Sequence, residues 1–295
     1  MSISGTKLRI ALQKSGRLSE DSSKLMLECG ISFNSARGSE RLKSQATNFP
    51  VEFLFLRDDD ISGYVADGVV DAGIVGLNTL SEQRSEKFDG ITLVEKLGFS
   101  KCRMSIAVPQ ALDYRNIKDL NGKRIATSYP NLLKAFLSKK NTAANIHEIS
   151  GSVEIAPGIG LADAICDLVS SGSTLSSNGL KEVEVILESE AVLISNPNLD
   201  PNKQSILEKL LFRIKSVGRS KNSKYILLNA PNESLGKIID LLPGMKSPTI
   251  VPLATEGWSS VHSVMQEDEF WEKIEGLKEV GAQGILIIPI EKMIL

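Results

Sequence analysis

Apolar and polar positions repeat with two periods along this chain, near 2 and near 3.6 residues, and the points of exchange mark most of its elements. Leu8-Arg9-Ile10-Ala11-Leu12 reads as a strand, and Ser19 to Leu27 as a helix with Ser19 as N-cap, acids in its first turn and Gly30 just beyond its end. Val51 to Leu56 is a second strand, ending in Arg57-Asp58-Asp59-Asp60, and a helix follows through Ile61, Tyr64 and Val65. Val69 to Gly76 repeats the form of a strand that closes on a glycine turn. Cys102 to Val108 and Lys123 to Thr127 read as further strands, and Pro130 opens a helix through Leu133 and Leu137, as proline does at a first helical turn. Strands and helices in alternation predict α/β architecture with a parallel or mixed sheet.

The segment Gly160 to Val169 reads as a helix whose buried face is Leu161, Ile165, Leu168 and Val169. Asp163 and Asp167, four residues apart, then share its other face. The helix runs into Ser170-Ser171-Gly172-Ser173-Thr174, small hydroxyl residues around a glycine, whose free N–H groups and hydroxyls suit a pyrophosphate. The plain alternative is a solvated acidic face followed by an ordinary turn. Strands at Val183 to Leu187 and Ala191 to Ile194 lead to a long helix from Lys203 to Val217. This pattern predicts two α/β lobes with a ligand between them, residues 98–182 forming the second lobe and 1–97 with 183–220 a discontinuous first.

Beyond the polar stretch Gly218 to Ser223 the order changes. Strand, helix, two strands, helix and strand follow over residues 221–295, the βαββαβ plan of a ferredoxin-like domain.

Composition narrows the chemistry. A net charge of −2 over 295 residues offers no basic excess for a nucleic-acid backbone, so nucleic acid is not an expected partner. No apolar run is long enough to span a bilayer, and the first residues lack the apolar core of a signal peptide, so no membrane partner and a cytoplasmic location are expected. Three scattered cysteines read as reduced core residues. With only His147 and His262 available, any metal would sit on oxygen ligands, which points to magnesium.

Several segments, in this order and spacing, resemble the long form of ATP phosphoribosyltransferase, the enzyme that opens histidine biosynthesis. They are Leu8 to Arg17, Arg57 to Ile61, Asp71 to Gly76, Asn121 to Pro130, Gly151 to Glu154, Gly160 to Leu175 and Leu286 to Met293, which together span the whole chain. The resemblance implies catalytic lobes like those of periplasmic binding proteins and a C-terminal regulatory domain. It implies transfer of phosphoribosyl from phosphoribosyl pyrophosphate to N1 of ATP, with Mg2+, feedback inhibition by histidine, and a homo-oligomer exchanging between dimer and hexamer. Competing readings are a two-lobed solute-binding protein and a non-catalytic partner subunit; the missing signal sequence opposes the first, Lys14 and Arg17 the second.

Under the enzyme reading Asp167 and Glu154 are the catalytic carboxylates at the ribose hydroxyls, and Ser170, Ser171, Gly172, Ser173 and Thr174 bind phosphates. Asp163 either joins them, as a magnesium contact, or is solvated. Lys14, Gly16 and Arg17 are expected on the triphosphate of ATP, with Arg57, Asp71 and Tyr129 completing its site. Ion pairing with the aspartates that follow is the alternative for Arg57, and core packing for Tyr129. Met245, Ser247, Thr249 and Ala282 are the places expected for the inhibitor. One departure stands out: the family often carries a basic residue where this chain has Gly158.

Overall fold

The computed structural model describes residues 5–34, 42–83 and 90–294. The chain divides into two compact units, Met1–Lys209 and Leu210–Leu295. The first unit is built from β1 (Leu8–Gln13), α1 (Arg17–Glu28), β2 (Lys43–Gln45), β3 (Val51–Leu56), α2 (Asp58–Ala66), β4 (Ala72–Gly76), α3 (Leu77–Gln83) and β5 (Thr92–Lys96). It continues through β6 (Cys102–Pro109), β7 (Arg124–Thr127), α4 (Pro130–Lys139), β8 (Asn145–Glu148), β9 (Ala164–Val169), α5 (Ser173–Ser177), β10 (Leu180–Ser189) and β11 (Ala191–Ser195). Helix α6 (Pro201–Ser220) contains the division between the units.

Two sheets form. The first has the order β2-β3-β1-β4-β11-β5, with β1 parallel to both β3 and β4 and β11 antiparallel to its neighbours. Ile10, Leu12, Phe53 and Ile74 are fully or almost fully buried in it, which is why its central strands read as apolar runs and not as alternations. The second has the order β10-β6-β9-β7-β8, with β7 parallel to β8 and β9. Two crossings join the lobes and are bonded to each other: Leu97 N–H donates to the Ala191 carbonyl at 2.9 Å, and Ala191 N–H to that of Phe99 at 3.0 Å.

Three expectations are corrected. The Gly160 to Val169 segment is no helix: Ala164 to Val169 is β9, held between β6 and β7, with Ile165 and Cys166 fully buried. An apolar run of this length bounded by glycine and serine suits a buried strand, and period 2 still puts Asp163 and Asp167 on one face, but about 13 Å apart. The return to the first lobe comes at Glu190 and not near Val183, because β10 pairs along β6 through Ser189. Helix α1 starts at Arg17, before Ser19, with Gly16 at its N-cap in the positive-φ region (89°) that glycine enters at least cost.

The second unit contains β12 (Ser223–Pro231), α7 (Leu235–Leu241), β13 (Thr249–Pro252), β14 (Trp258–Gln266), α8 (Glu267–Glu279) and β15 (Gln283–Pro289). The sheet is antiparallel with the order β13-β14-β12-β15, the ferredoxin-like arrangement expected from the pattern. Its core gathers Ile226, Leu228, Ile238, Val261, Phe270 and Leu277. Met245, Ser247 and Thr249 are exposed on and before the edge strand β13, whereas Ala282 is buried in the core cluster beside β15, the opposite edge. Three strand spacings, about 14 Å, separate the two edges, so Ala282 does not share a pocket with the other three.

Candidate active site

In open α/β sheets the loops that follow the carboxyl ends of parallel strands are the ones free to hold a ligand. In the first lobe these are Lys14 to Arg17 after β1, Arg57 after β3 and Leu77-Asn78 after β4. In the second they are Ser128-Tyr129 after β7, Ile149 to Gly151 after β8 and Ser170 to Thr174 after β9. The contacts between the lobes join these two sets. Arg17 Nη1 reaches Ser170 Oγ at 3.5 Å, a long contact; Asn78 Nδ2 donates to the Tyr129 hydroxyl at 3.2 Å. Glu82, on α3, accepts the N–H groups of Asn131 and Leu132 at 2.7 and 2.9 Å, so a carboxylate of one lobe caps helix α4 of the other. A cleft of about 360 Å³ lies between, lined by Thr79, Glu82 and Gln83 on one side and Tyr129, Glu148 and Ser150 on the other.

Asp167 lies on β9 directly opposite Ser105 of β6. Burial pushes its carboxyl above the ordinary aspartate range, the Leu168 N–H opposes this, and the charge of Glu154 adds to it. Glu154 sits on a 3-10 turn, Val153–Ile155, packed over β9. Neither carboxylate forms an ion pair among the described residues. After β9 the loop turns at Gly172 (φ 81°), leaving Ser170, Ser171, Ser173 and Thr174 exposed; Ser171 and Ser173 share a hydroxyl contact at 2.9 Å.

Lys14 and Arg17 are exposed on either side of Gly16. Arg57 is exposed at the N-cap of α2 and forms no ion pair with Asp58, Asp59 or Asp60. Tyr129 is half-buried at the start of α4, and burial raises its hydroxyl pKa well above the ordinary range.

Two residues expected in the site are elsewhere. Asp71 precedes β4 and Asp163 precedes β9, so both lie at the amino ends of parallel strands, away from the ligand edge. Asp71 is buried, with one oxygen accepting the Arg9 N–H at 2.7 Å and the other Lys203 Nζ at 2.7 Å. Asp163 accepts the Arg124 N–H at 2.8 Å and pairs with its guanidinium at 3.3 Å, which holds its carboxyl below the usual range. Its carboxylate is thus occupied as a brace, and no group of three or more acidic, histidine or cysteine residues placed to hold a metal occurs among the described residues.

The structure adds residues that patterning did not single out. Asn78, buried, exchanges two hydrogen bonds with Ser189 (3.0 and 2.8 Å) besides its bond to Tyr129, and Thr79 donates to Asp58 at 2.8 Å. Their one sequence signal is polarity inside the apolar run Ile74 to Leu80.

Residues 57–216 match the model of the family described as ATP phosphoribosyltransferase, and residues 220–292 that described as HisG, C-terminal domain. A protein of Cytophaga hutchinsonii named ATP phosphoribosyltransferase is 60% identical over 289 residues, 98% of this chain and 99% of that one. Its namesake in Phocaeicola vulgatus is 54% identical over 98% of this chain and 100% of its own length. Among solved structures, a chain of the ATP phosphoribosyl transferase (HisG:HisZ) complex of Thermotoga maritima matches with a TM-score of 0.58 and 28% identity, over 70% of this chain and 98% of that one. The periplasmic sulfonate-binding protein SsuA of Methylobacillus flagellatus matches with a TM-score of 0.51 at 16% identity, over 73% of this chain and 69% of that one, a likeness of fold.

Proposed function

The chain belongs to the ATP phosphoribosyltransferase family, in its long form, and on that premise we propose that it transfers the phosphoribosyl group of phosphoribosyl pyrophosphate to N1 of the adenine of ATP, releasing pyrophosphate, as the first step of histidine biosynthesis. The observation that carries the assignment of roles is the meeting of Arg17 and Ser170, which brings the cationic turn of one lobe against the hydroxyl loop of the other.

Breaking the bond from the anomeric carbon to pyrophosphate builds positive charge on the ribose ring and negative charge on the leaving group. Asp167 and Glu154 face the first need: half-buried carboxylates that no cation among the described residues neutralises favour an oxocarbenium-like ring and accept hydrogen bonds from the ribose hydroxyls. Ser170 to Thr174 face the second, with hydroxyls and N–H groups set before the reaction begins. Lys14, Gly16 and Arg17 receive the triphosphate of ATP, Arg by its fork and Lys as a point charge, with Arg57 and Tyr129 beside them. Adenine N1 attacks with its own lone pair, so orientation replaces a general base.

Magnesium would be held by the carboxylate oxygens of Asp167 and Glu154, hard donors of the kind it prefers. There the ion would neutralise the charge of the departing pyrophosphate. Feedback inhibition by histidine is characteristic of the family; we assign its site in this chain to the second unit, near Met245, Ser247 and Thr249. Hexamer formation and a cytoplasmic location belong to the same reading. The test is ultraviolet detection of product from ATP and phosphoribosyl pyrophosphate, with and without histidine. Thr174→Ala and Asp167→Ala are expected to abolish turnover in folded protein, and full activity in either overturns the role given to that residue.

A further inference from the structure

We infer that Arg103 is a positioning residue for the phosphate loop, fixing the Ser170–Ser171 peptide plane through the Ser170 carbonyl. Arg103, the second residue of β6, stands opposite Val169, the last residue of β9, at the height where the loop leaves the sheet. Its Nη1 donates to the Ser170 carbonyl at 3.1 Å. Its Nε and Nη2 donate to the two oxygens of Glu182 at 2.5 Å each, and Ser105 Oγ donates to Glu182 Oε1 at 2.6 Å. The Arg103 guanidinium in turn holds the Glu182 carboxyl below its usual range.

Three of the five guanidinium N–H groups, one on each nitrogen, are thus engaged within the protein, and the one on Nη1 acts on the loop. A trans peptide unit is planar, with its C=O and N–H pointing in opposite directions. Holding the Ser170 carbonyl therefore aims the Ser171 N–H away from Arg103, and that N–H donates to no group among the described residues. Glu182, on β10, keeps the guanidinium from swinging free, and Ser105 ties Glu182 to the strand position facing Asp167. The network spans β10, β6 and β9 and serves both halves of the proposed chemistry, the loop directly and the carboxylate by adjacency. Arg17, reaching the Ser170 hydroxyl from the other lobe, meets a residue whose main chain Arg103 already holds.

The inference rests on the loop's being the phosphate site, and the experiment separates the two. Steady-state kinetics are measured on the full chain for Arg103→Lys, Arg103→Gln, Glu182→Gln and the loop variant Thr174→Ser. Arg103→Lys and Arg103→Gln are expected to raise KM for phosphoribosyl pyrophosphate on the order of tenfold, the scale of a displaced binding group, with KM for ATP within about twofold. Glu182→Gln, which leaves Arg103 in place but loosely held, should move the same KM in the same direction by less. It also keeps the test open should Arg103→Gln fail to fold. Equal changes in both KM values, or none, in variants with a wild-type thermal midpoint overturn the positioning role. A rise with Thr174→Ser but not with the Arg103 variants sinks this inference and leaves the loop assignment standing; no rise with the Arg103 variants together with full activity of Thr174→Ala sinks the loop assignment itself.

Discussion

Glu154, on a turn packed over β9, faces Asp167, and its charge adds to burial in holding the Asp167 carboxyl above the ordinary range. A carboxyl whose pKa is higher folded than unfolded binds its proton more tightly in the folded chain. The stability it contributes is present below the ordinary aspartate range and is lost as pH rises through the raised value. At neutral pH, then, the ionised Asp167 opposes folding. Asp167→Asn should abolish turnover while holding or raising the thermal midpoint, and Glu154→Gln should move the acid limb of kcat/KM to lower pH. A midpoint lowered by more than about 5 °C in Asp167→Asn would show that the carboxylate supports the fold instead.

Asp71 and Asp163 make the opposite prediction. Asp71 is buried against Lys203, so Asp71→Ala strands a half-buried ammonium and should cost about 2–4 kcal/mol in denaturant unfolding. Asp163, half-exposed beside Arg124, should cost no more than about 1 kcal/mol as Asp163→Asn. Under conditions where each variant is folded, kcat/KM for both substrates should stay within about threefold, since a change of 0.6 kcal/mol or less is expected away from the site. A selective loss for one substrate would return either residue to the site.

Glu82 clips the lobes together by capping α4. A cap of this kind is worth about 1 kcal/mol, which corresponds to about fivefold in the ratio of closed to open forms. If closure precedes productive binding of both substrates, Glu82→Ala should raise both KM values by about that factor, whereas an effect on one alone would make Glu82 a contact for that substrate.

Gly158 is exposed with φ in the ordinary range, and a Cβ there would meet only the Ile155 carbonyl, at 3.5 Å. Gly158→Lys should therefore fold with stability within about 0.5 kcal/mol of the parent. On the resemblance drawn from the sequence, it is expected to lower KM for phosphoribosyl pyrophosphate by adding a cation at this position. An unchanged KM would show that the charge is supplied from elsewhere.

Much of this was legible in the chain. Strands flanked by glycine turns predicted both α/β lobes, and the βαββαβ order of the last unit is visible from its apolar spacing alone. The Asp163 to Asp167 spacing misled, because four residues bring acids to a common face in helix and strand alike, and only the separation differs. Asp71 misled in a related way: a carboxylate beside a glycine-ended strand looks the same whether it precedes the strand or follows it. Asn78, Glu82 and Arg103 were silent since each matters through a partner far away in sequence, Tyr129, Asn131 and Ser170 respectively.

The placement of β11 in the first sheet governs how the protein is made. Ala191 to Ser195 pairs with β4 on one side and β5 on the other, and β5 has no other neighbour in the sheet. As the chain leaves the ribosome, Thr92 to Lys96 emerges without a partner and the apolar edge of β4 stays open until the whole second sheet has followed, roughly 5–20 s at ordinary rates of synthesis. The second lobe, contiguous from Cys102 to Ser189, closes without waiting. The lobe begun first is thus the lobe finished last, and the nascent chain carries an unpaired strand edge, the feature most prone to self-association, through the interval.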